Sequence, residues 1–242
     1  MHRKQLLLGA AGLLGSLSAS SSATFATSES AIPLQPPGHG PVQVAFAVGP
    51  DLVAIDFFGP LTAFAGAWLG PSMEMGKPPL FNTYSVAATK TPLDQGGFSI
   101  VPQYTFENAP QPHVLVVPMQ RQLPETIAWI RKASAGTDVT MSVCTGAFLV
   151  AKAGLFNGHR ATTHHDGYDL FAKLYPKVDL IRGPRFVESG MMASSGGESC
   201  GMDLALRVIE RYYGLGAAKN SAYSMEYRCT PRPKGLNDVG LA

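Results

Sequence analysis

Short apolar runs alternate with longer segments of helical periodicity along most of the chain. Apolar runs rich in β-branched residues are typical of strands that are buried on both faces of a sheet. We predict such strands at residues 42–48, 81–88, 113–118, 139–143, 179–181, 186–188 and 191–194, with a hairpin pair around Gly96 and Gly97. We predict helices at 60–69, 123–134, 145–153, 167–174 and 198–213. Pro60 would then lie in the first turn of its helix, where proline is tolerated.

Strands that are separated by helices favour a parallel sheet with right-handed crossovers and helices on both faces. The sequence therefore predicts an α/β protein with a doubly wound, mostly parallel sheet. In such sheets ligands bind at the carboxyl ends of the strands. The segments that follow the strands are thus the places where chemistry is expected.

The composition is that of a folded domain: of 242 residues, 45% are apolar and 15% are charged. A predominantly disordered chain is excluded, because such chains have few apolar groups and many charges. Lys plus Arg total 19, Asp plus Glu total 17, and no basic stripe appears, so we expect no nucleic-acid partner. Three cysteines are too few for a disulfide scaffold in a chain of this length.

The first 26 residues have the three parts of a secretory signal peptide. A basic start is followed by the apolar residues 5–19 and by small residues that allow a cut after Ala23 or Ala26. The alternative is a helical tail or a membrane anchor, but a spanning helix needs about 20 apolar residues. We therefore expect an exported protein, periplasmic or secreted, with no membrane attachment after the signal is removed.

The rest of the chain is predicted to form one domain. Residues 27–41 contain four prolines and show no periodicity, which is typical of a linker. No similar boundary interrupts residues 42–227, and residues 228–242 are predicted to be a C-terminal tail.

Cys144 is the strongest candidate for chemistry, because it lies where a predicted strand meets a predicted helix. Small residues follow it at Thr145, Gly146 and Ala147, as in the sharp turn of a nucleophile elbow. A thiol at a helix N-terminus is close to the positive end of the helix dipole, so we expect the thiolate to be favoured. The alternative is a structural cysteine that packs as a small apolar side chain.

Asp56 follows the first predicted strand and lies among apolar residues. A carboxyl in such surroundings is expected to have a raised pKa and to be able to donate or shuttle a proton. An aspartate is equally suited to cap a helix N-terminus. Spacing alone favours the cap.

Two further pairs are candidates for the pocket. A further short strand is predicted at 160–165 and ends in His164 and His165. Neighbouring side chains on a strand point to opposite faces, so at most one of the two is expected in the site. A histidine pair alone does not indicate a metal site, and we expect none. Gly196 and Gly197 open the last predicted helix, where their N–H groups would line the pocket unless the glycines serve only a tight turn.

These segments, 55–60 (IDFFGP), 142–146 (SVCTG), 158–164 (GHRATTH) and the glycine pair, resemble in their order the ThiJ/PfpI superfamily. The resemblance covers residues 42–227 and is nearest to isonitrile hydratases and to the ligand-side domain of AraC-type regulators. It implies a flavodoxin-like, class I glutamine amidotransferase-like fold, a homodimer and no cofactor.

The resemblance also assigns roles. It makes Cys144 the nucleophile, Asp56 and Thr145 its helpers, and His164 a residue of the pocket. No histidine follows Cys144 directly and none occurs after His165, which speaks against peptidases and glutaminases of the superfamily. About 15 residues follow Tyr227, so we expect no helix-turn-helix domain.

One turn departs from the family pattern. Pro118-Met119-Gln120 stands where the family usually has Pro-Gly-Gly, whose N–H groups face the nucleophile. Two hypotheses follow: Met119 narrows the pocket, and Gln120 supplies a side-chain amide in place of the missing backbone donors.

The predicted function is cysteine-dependent hydration of a small electrophilic carbon, an isonitrile that becomes an N-substituted formamide. The reaction is that of a lyase, and its only expected partner besides a second copy of the chain is the small molecule. The alternative is an exported, non-catalytic protein of the same fold that binds a ligand or responds to oxidation. In that case Cys144 is held as a sulfenate, or Cys200 and Cys229 pair and leave Cys144 as the odd thiol, or all three cysteines stay free.

Overall fold

The structure is a computed structural model that describes residues 32–71 and 76–227. The predicted signal peptide, the first part of the predicted linker and the predicted tail with Cys229 lie outside the described residues. Within the described parts, no helix is both long enough and apolar enough to span a bilayer.

Eleven strands occur in the described residues. In chain order they are β1 (Val42–Ala47), β2 (Phe81–Ala87), β3 (Leu93–Asp94), β4 (Ser99–Ile100), β5 (Tyr104–Thr105), β6 (Val114–Val117), β7 (Val139–Ser142), β8 (Arg160–Ala161), β9 (Asp179–Leu180), β10 (Phe186–Ser189) and β11 (Met192–Ser195). Seven of them form the central sheet in the order β10-β11-β7-β6-β1-β2-β5. All neighbours in this sheet are parallel except β10 and β11, which form an antiparallel hairpin.

Five helices cover the two faces of the sheet. They are α1 (Ala54–Ala65), α2 (Pro124–Ser134), α3 (Ala147–Lys152), α4 (Tyr168–Leu174) and α5 (Cys200–Ser224). Helices α1 and α5 pack on one face, and α2, α3 and α4 pack on the other. The central strands β6 and β7 are buried along their whole length, as their apolar runs predict. The predicted doubly wound, mostly parallel sheet is confirmed.

The first helix differs from its prediction, since it begins at Ala54 and has Pro60 inside it. A proline inside a helix has no N–H for the carbonyl four residues earlier, here that of Asp56. The helix forms nevertheless, because the buried Phe57 and Phe64 pack it against the sheet and such packing outweighs local propensity.

The last helix is longer than predicted. It continues to Ser224 and is broken at Gly214, whose φ of 82° is in the left-handed region. The two helical segments share the same face of the sheet, because Ala217, Ala218 and Ala222 beyond the break are also buried.

The order of the strands explains where a site can form. From β1 the chain first adds β2 on one side of β1, and later adds β6 and β7 on the other. A crevice opens at the carboxyl ends of the strands where the order reverses. The segments that follow β1, β6 and β7 meet there, and they carry Asp56 in the first turn of α1, Met119 and Cys144.

Candidate active site

Cys144 begins a 3₁₀ turn, Cys144–Gly146, between β7 and α3. Its φ of 58° lies in the left-handed region, which is uncommon for a residue other than glycine and marks stored backbone strain. The Cys144 N–H donates to the Gly196 carbonyl at 3.0 Å. A Cβ at Gly146 would lie 2.1 Å from the Val117 carbonyl oxygen, so only glycine lets the turn pack this closely on β6. The predicted strand-to-helix turn is therefore present.

The Cys144 thiol is buried, with 6% of the residue exposed. Burial, and next the nearby Asp56 carboxyl, raise its pKa to about 11. Hydrogen bonds from the N–H groups of Glu198 and Thr145 and from the Thr145 hydroxyl act in the opposite direction but do not compensate. The expectation of a favoured thiolate is wrong for the resting site, because loss of hydration outweighs the three donors.

Asp56 is the third residue of α1 and is completely buried. Its Oδ2 accepts a hydrogen bond from the Met119 N–H at 3.1 Å, and its Oδ1 has no hydrogen-bond partner among the described residues. Burial raises the pKa of Asp56 to about 7; the charge of Glu198 adds to the rise, while the Met119 N–H and the Cys144 thiol oppose it. The raised pKa agrees with the sequence prediction, whereas the cap interpretation is wrong. Val53 holds the cap position, without a side-chain hydrogen bond.

In the turn after β6, the Met119 N–H and the Gln120 side-chain amide donate within the protein. The Met119 N–H bonds Asp56, and the half-buried Met119 side chain packs on the apolar core that contains Cys144. The Gln120 Nε2 donates to the Ala47 carbonyl at 2.7 Å and to the Pro118 carbonyl at 3.4 Å. Both amide hydrogens are thus taken, and the hypothesis that Gln120 supplies a replacement donor for substrate is wrong.

The glycine turn before α5 lies directly over Cys144, but the donor is not a glycine. The Gly196 N–H is used by the Arg185 carbonyl at 2.8 Å. The N–H that bonds the Cys144 sulfur belongs to Glu198, whose side chain is exposed and whose φ is 21°. The prediction that the glycine N–H groups line the pocket is therefore wrong for Gly196, and for Gly197 it stays a prediction. Sequence reasoning missed Glu198, and the only signal for it is its place directly after the glycine pair.

His164 packs against this turn. A Cβ at Gly197 would lie 2.5 Å from Cδ2 of His164, so glycine makes room for the ring. The rings of His164 and His165 stack with centroids 4.2 Å apart and planes 28° apart. The prediction that they point to opposite faces is wrong, because β8 ends at Ala161, before the pair.

His164, His165 and Asp166 form the only group of three potential metal ligands in residues 32–71 and 76–227. An imidazole binds a metal along a lone pair in the plane of its ring, and two stacked rings direct these lone pairs in separate, nearly parallel planes. In addition, Nδ1 of His164 already accepts the Asp166 N–H at 3.2 Å. The arrangement does not fit an ion.

A buried polar cluster supports the glycine turn from beneath. Arg185, whose carbonyl holds Gly196, donates from Nε to the buried carboxylate of Asp203. The Tyr227 hydroxyl donates to the same carboxylate at 2.9 Å. Cys200 is buried and unpaired among the described residues, and its pairing with Cys229 lies outside them.

Comparisons with known proteins give distant relatives and a common fold. No family model matches the chain. Isonitrile hydratase of Pseudomonas putida is 28% identical over 201 residues, which cover 78% of this chain and 80% of that protein. The HTH-type transcriptional regulator CdhR of Pseudomonas aeruginosa is 31% identical over 103 residues, 40% of this chain and 29% of the regulator. The crystal structure of a ThiJ/PfpI family protein from Pseudomonas syringae superposes with a TM-score of 0.68 and 25% identity, covering 81% of this chain and 78% of that one.

Proposed function

Since the chain belongs to the ThiJ/PfpI superfamily and is a distant homologue of isonitrile hydratase, we propose that it hydrates isonitriles to N-substituted formamides, with Cys144 as the nucleophile. The observation that carries this proposal is the buried Asp56 carboxyl beside the Cys144 thiol. One of its oxygens has no partner among the described residues and is free to exchange a proton with a reacting molecule.

The two raised pKa values define the working state of this pair. Between the pKa of Asp56, about 7, and that of Cys144, about 11, the pair holds one proton, which rests mainly on sulfur. Asp56 is then the base that removes the thiol proton, and afterwards the acid that returns it. A thiolate is needed only while substrate is present.

In the first proposed step the sulfur bonds to the terminal carbon of R–N≡C. The thiol proton passes through Asp56 to that carbon, which gives the thioimidate S–CH=N–R. In the second step water adds to this carbon and one of its protons goes to nitrogen. The C–S bond then breaks, the hydroxyl proton returns to sulfur, and the N-substituted formamide leaves.

The donors at the sulfur fit this sequence. The N–H groups of Glu198 and Thr145 and the Thr145 hydroxyl stabilise negative charge on Cys144 when it forms. His164 lines the same turn through Gly197. The proposal needs no cofactor.

One observation favours a second candidate, an exported ligand-binding or redox-responsive protein without catalysis. The turn after β6 offers substrate neither the Met119 N–H nor the Gln120 amide, since Asp56 and two carbonyls occupy them. Export, the homodimer and a small molecule as the partner are also proposals. The N-terminus of the mature protein in a periplasmic fraction, and light scattering, test the first two.

The test of function is formation of formamide from a panel of alkyl and aryl isonitriles, followed by proton NMR. We expect product with the wild-type protein and none with Cys144→Ala. Cys229→Ser is the matched control, because it removes another thiol from the chain and should keep the activity. A wild-type protein that converts no isonitrile, or a Cys144→Ala variant that still does, contradicts the proposal.

A further inference from the structure

The charged side chains that act on the Cys144–Asp56 pair are acidic, and the imidazole of His164 is the basic group that packs against the same turn. The exposed side chain of Glu198 has no ion pair within residues 32–71 and 76–227. The arginine next to this turn, Arg185, is committed to Asp203.

Glu198 is held close to the reacting sulfur by its backbone. The Gly196 carbonyl bonds the Cys144 N–H at 3.0 Å and fixes the turn over the thiol. Glu198 follows two residues later in the same turn, and its N–H lowers the pKa of the Cys144 thiol. Two residues of chain span at most about 7 Å, so the backbone of Glu198 lies close to Cys144. The charge of Glu198 also acts on Asp56, whose pKa it raises, so a charged reagent at the sulfur is subject to the field of this carboxylate.

We propose that Glu198 is a specificity-determining residue that selects, at Cys144, molecules carrying a positive charge over neutral and anionic ones of the same shape. Where it concerns catalysis, this inference rests on the proposed function. The favoured substrates are then isonitriles with a cationic substituent, such as an ammonium group. The partial positive charge at the start of α5, about half an elementary charge, offsets only part of the full charge of the carboxylate.

The first experiment needs no isonitrile. Cys144 is labelled with three small methanethiosulfonates, one cationic (trimethylammonium-ethyl), one neutral (methyl) and one anionic (sulfonatoethyl), and read by peptide mass spectrometry. Each rate is divided by the rate with a free thiol, which removes intrinsic differences between the reagents. Measurements at pH 6 and pH 8 separate the effect of the Glu198 charge on these rates from that of the Asp56 charge, because the pKa of Asp56 is about 7.

We expect the normalised ratio of cationic to anionic labelling to be about tenfold in the wild type at low salt, since the charge is partly screened by solvent. Glu198→Gln should lower this ratio about fivefold at both pH values, and Glu198→Lys should invert it. Glu125→Gln is the matched control: it removes an equally exposed charge at the start of α2, on the other face of the sheet, and should leave the ratio unchanged.

The second experiment compares hydration of 2-(trimethylammonio)ethyl isonitrile with that of its neutral isostere, 3,3-dimethylbutyl isonitrile. We expect kcat/KM to favour the cation in the wild type and to lose that preference in Glu198→Gln. A wild-type labelling ratio equal to that of the free thiol, or a preference that persists in Glu198→Gln, overturns the inference. If labelling shows the preference but neither isonitrile is hydrated, the proposed function fails alone and the selection by Glu198 stands.

Discussion

The sharpest consequence of the site concerns stability. Asp56→Asn replaces a fully buried carboxyl by an amide of the same shape, whose oxygen still accepts the Met119 N–H. The pKa of Asp56 is about 7 in the fold, against its usual 3.8. Each pKa unit corresponds to about 1.4 kcal/mol, so charging this group in the folded protein costs about 4 kcal/mol.

The direction in which stability changes with pH follows from the direction in which burial shifts the pKa of Asp56. Because the folded state binds this proton more tightly than the unfolded chain, the stabilising contribution is complete below pH 3.8 and is lost as pH rises through about 7. The amide that replaces the carboxyl carries no charge at any pH. We therefore expect Asp56→Asn to be more stable than the wild type at pH 8, by up to about 4 kcal/mol, and the two proteins to be equally stable near pH 4.

Urea unfolding at a series of pH values measures this difference. Asp179→Asn is the control, because Asp179 is exposed and has no ion pair among the described residues. If Asp56→Asn is less stable than the wild type at pH 8, or if the difference does not change with pH, then burial does not raise the pKa of Asp56. A variant that gains stability and loses hydration would indicate that the carboxyl serves the reaction at the expense of the fold.

Three further expectations follow from the same geometry. The kcat/KM of hydration should rise with pH around a midpoint of about 7, because Asp56 must be ionised to accept the thiol proton. At pH 5 it should be about 100-fold below its plateau, and a pH-independent kcat/KM would refute this role of Asp56. Gly146→Ala should lower the unfolding free energy by more than about 3 kcal/mol in urea, since its Cβ meets the carbonyl of β6, whereas Gly216→Ala, with open space around it, should change stability by less than about 1 kcal/mol. Arg185→Met should lower the free energy of unfolding in urea by about 3 kcal/mol, because it leaves the buried Asp203 without its cation. Equal stability of the variant and the wild type would mean that the fold does not need this ion pair.

Much of the fold is readable from the sequence because parallel strands buried on both faces must be apolar throughout. The run at β6 satisfies this condition, and the runs at β1, β2 and β7 satisfy it apart from polar residues such as Gln43, Asn82 and Thr140. The structure confirms all four within one or two residues. The turn at Cys144 is predictable for a related reason, since small residues directly after a buried strand allow the close backbone approach seen at Gly146.

The features that sequence reasoning missed depend on contacts between distant segments. The start of α1 is set by Phe57 and Phe64, which pack the helix against the sheet, while Pro60 gave the opposite local signal. The donor at Glu198 exists because the turn before α5 meets the turn after β7. The amide of Gln120 is turned toward β1 by two carbonyls that no local pattern reveals.

The protonation of Cys144 bears on the choice between the two candidate functions. Oxidation requires the thiolate, and cysteines that sense oxidants have a low pKa and are accessible to solvent. Cys144 is 6% exposed and has a pKa of about 11, so about one molecule in a thousand carries the thiolate at pH 8. Such a thiol resists oxidation in an oxidising compartment and becomes a nucleophile when Asp56 removes its proton beside a bound substrate. The same burial that weakens the redox-responsive alternative therefore fits a hydratase whose nucleophile forms only during turnover.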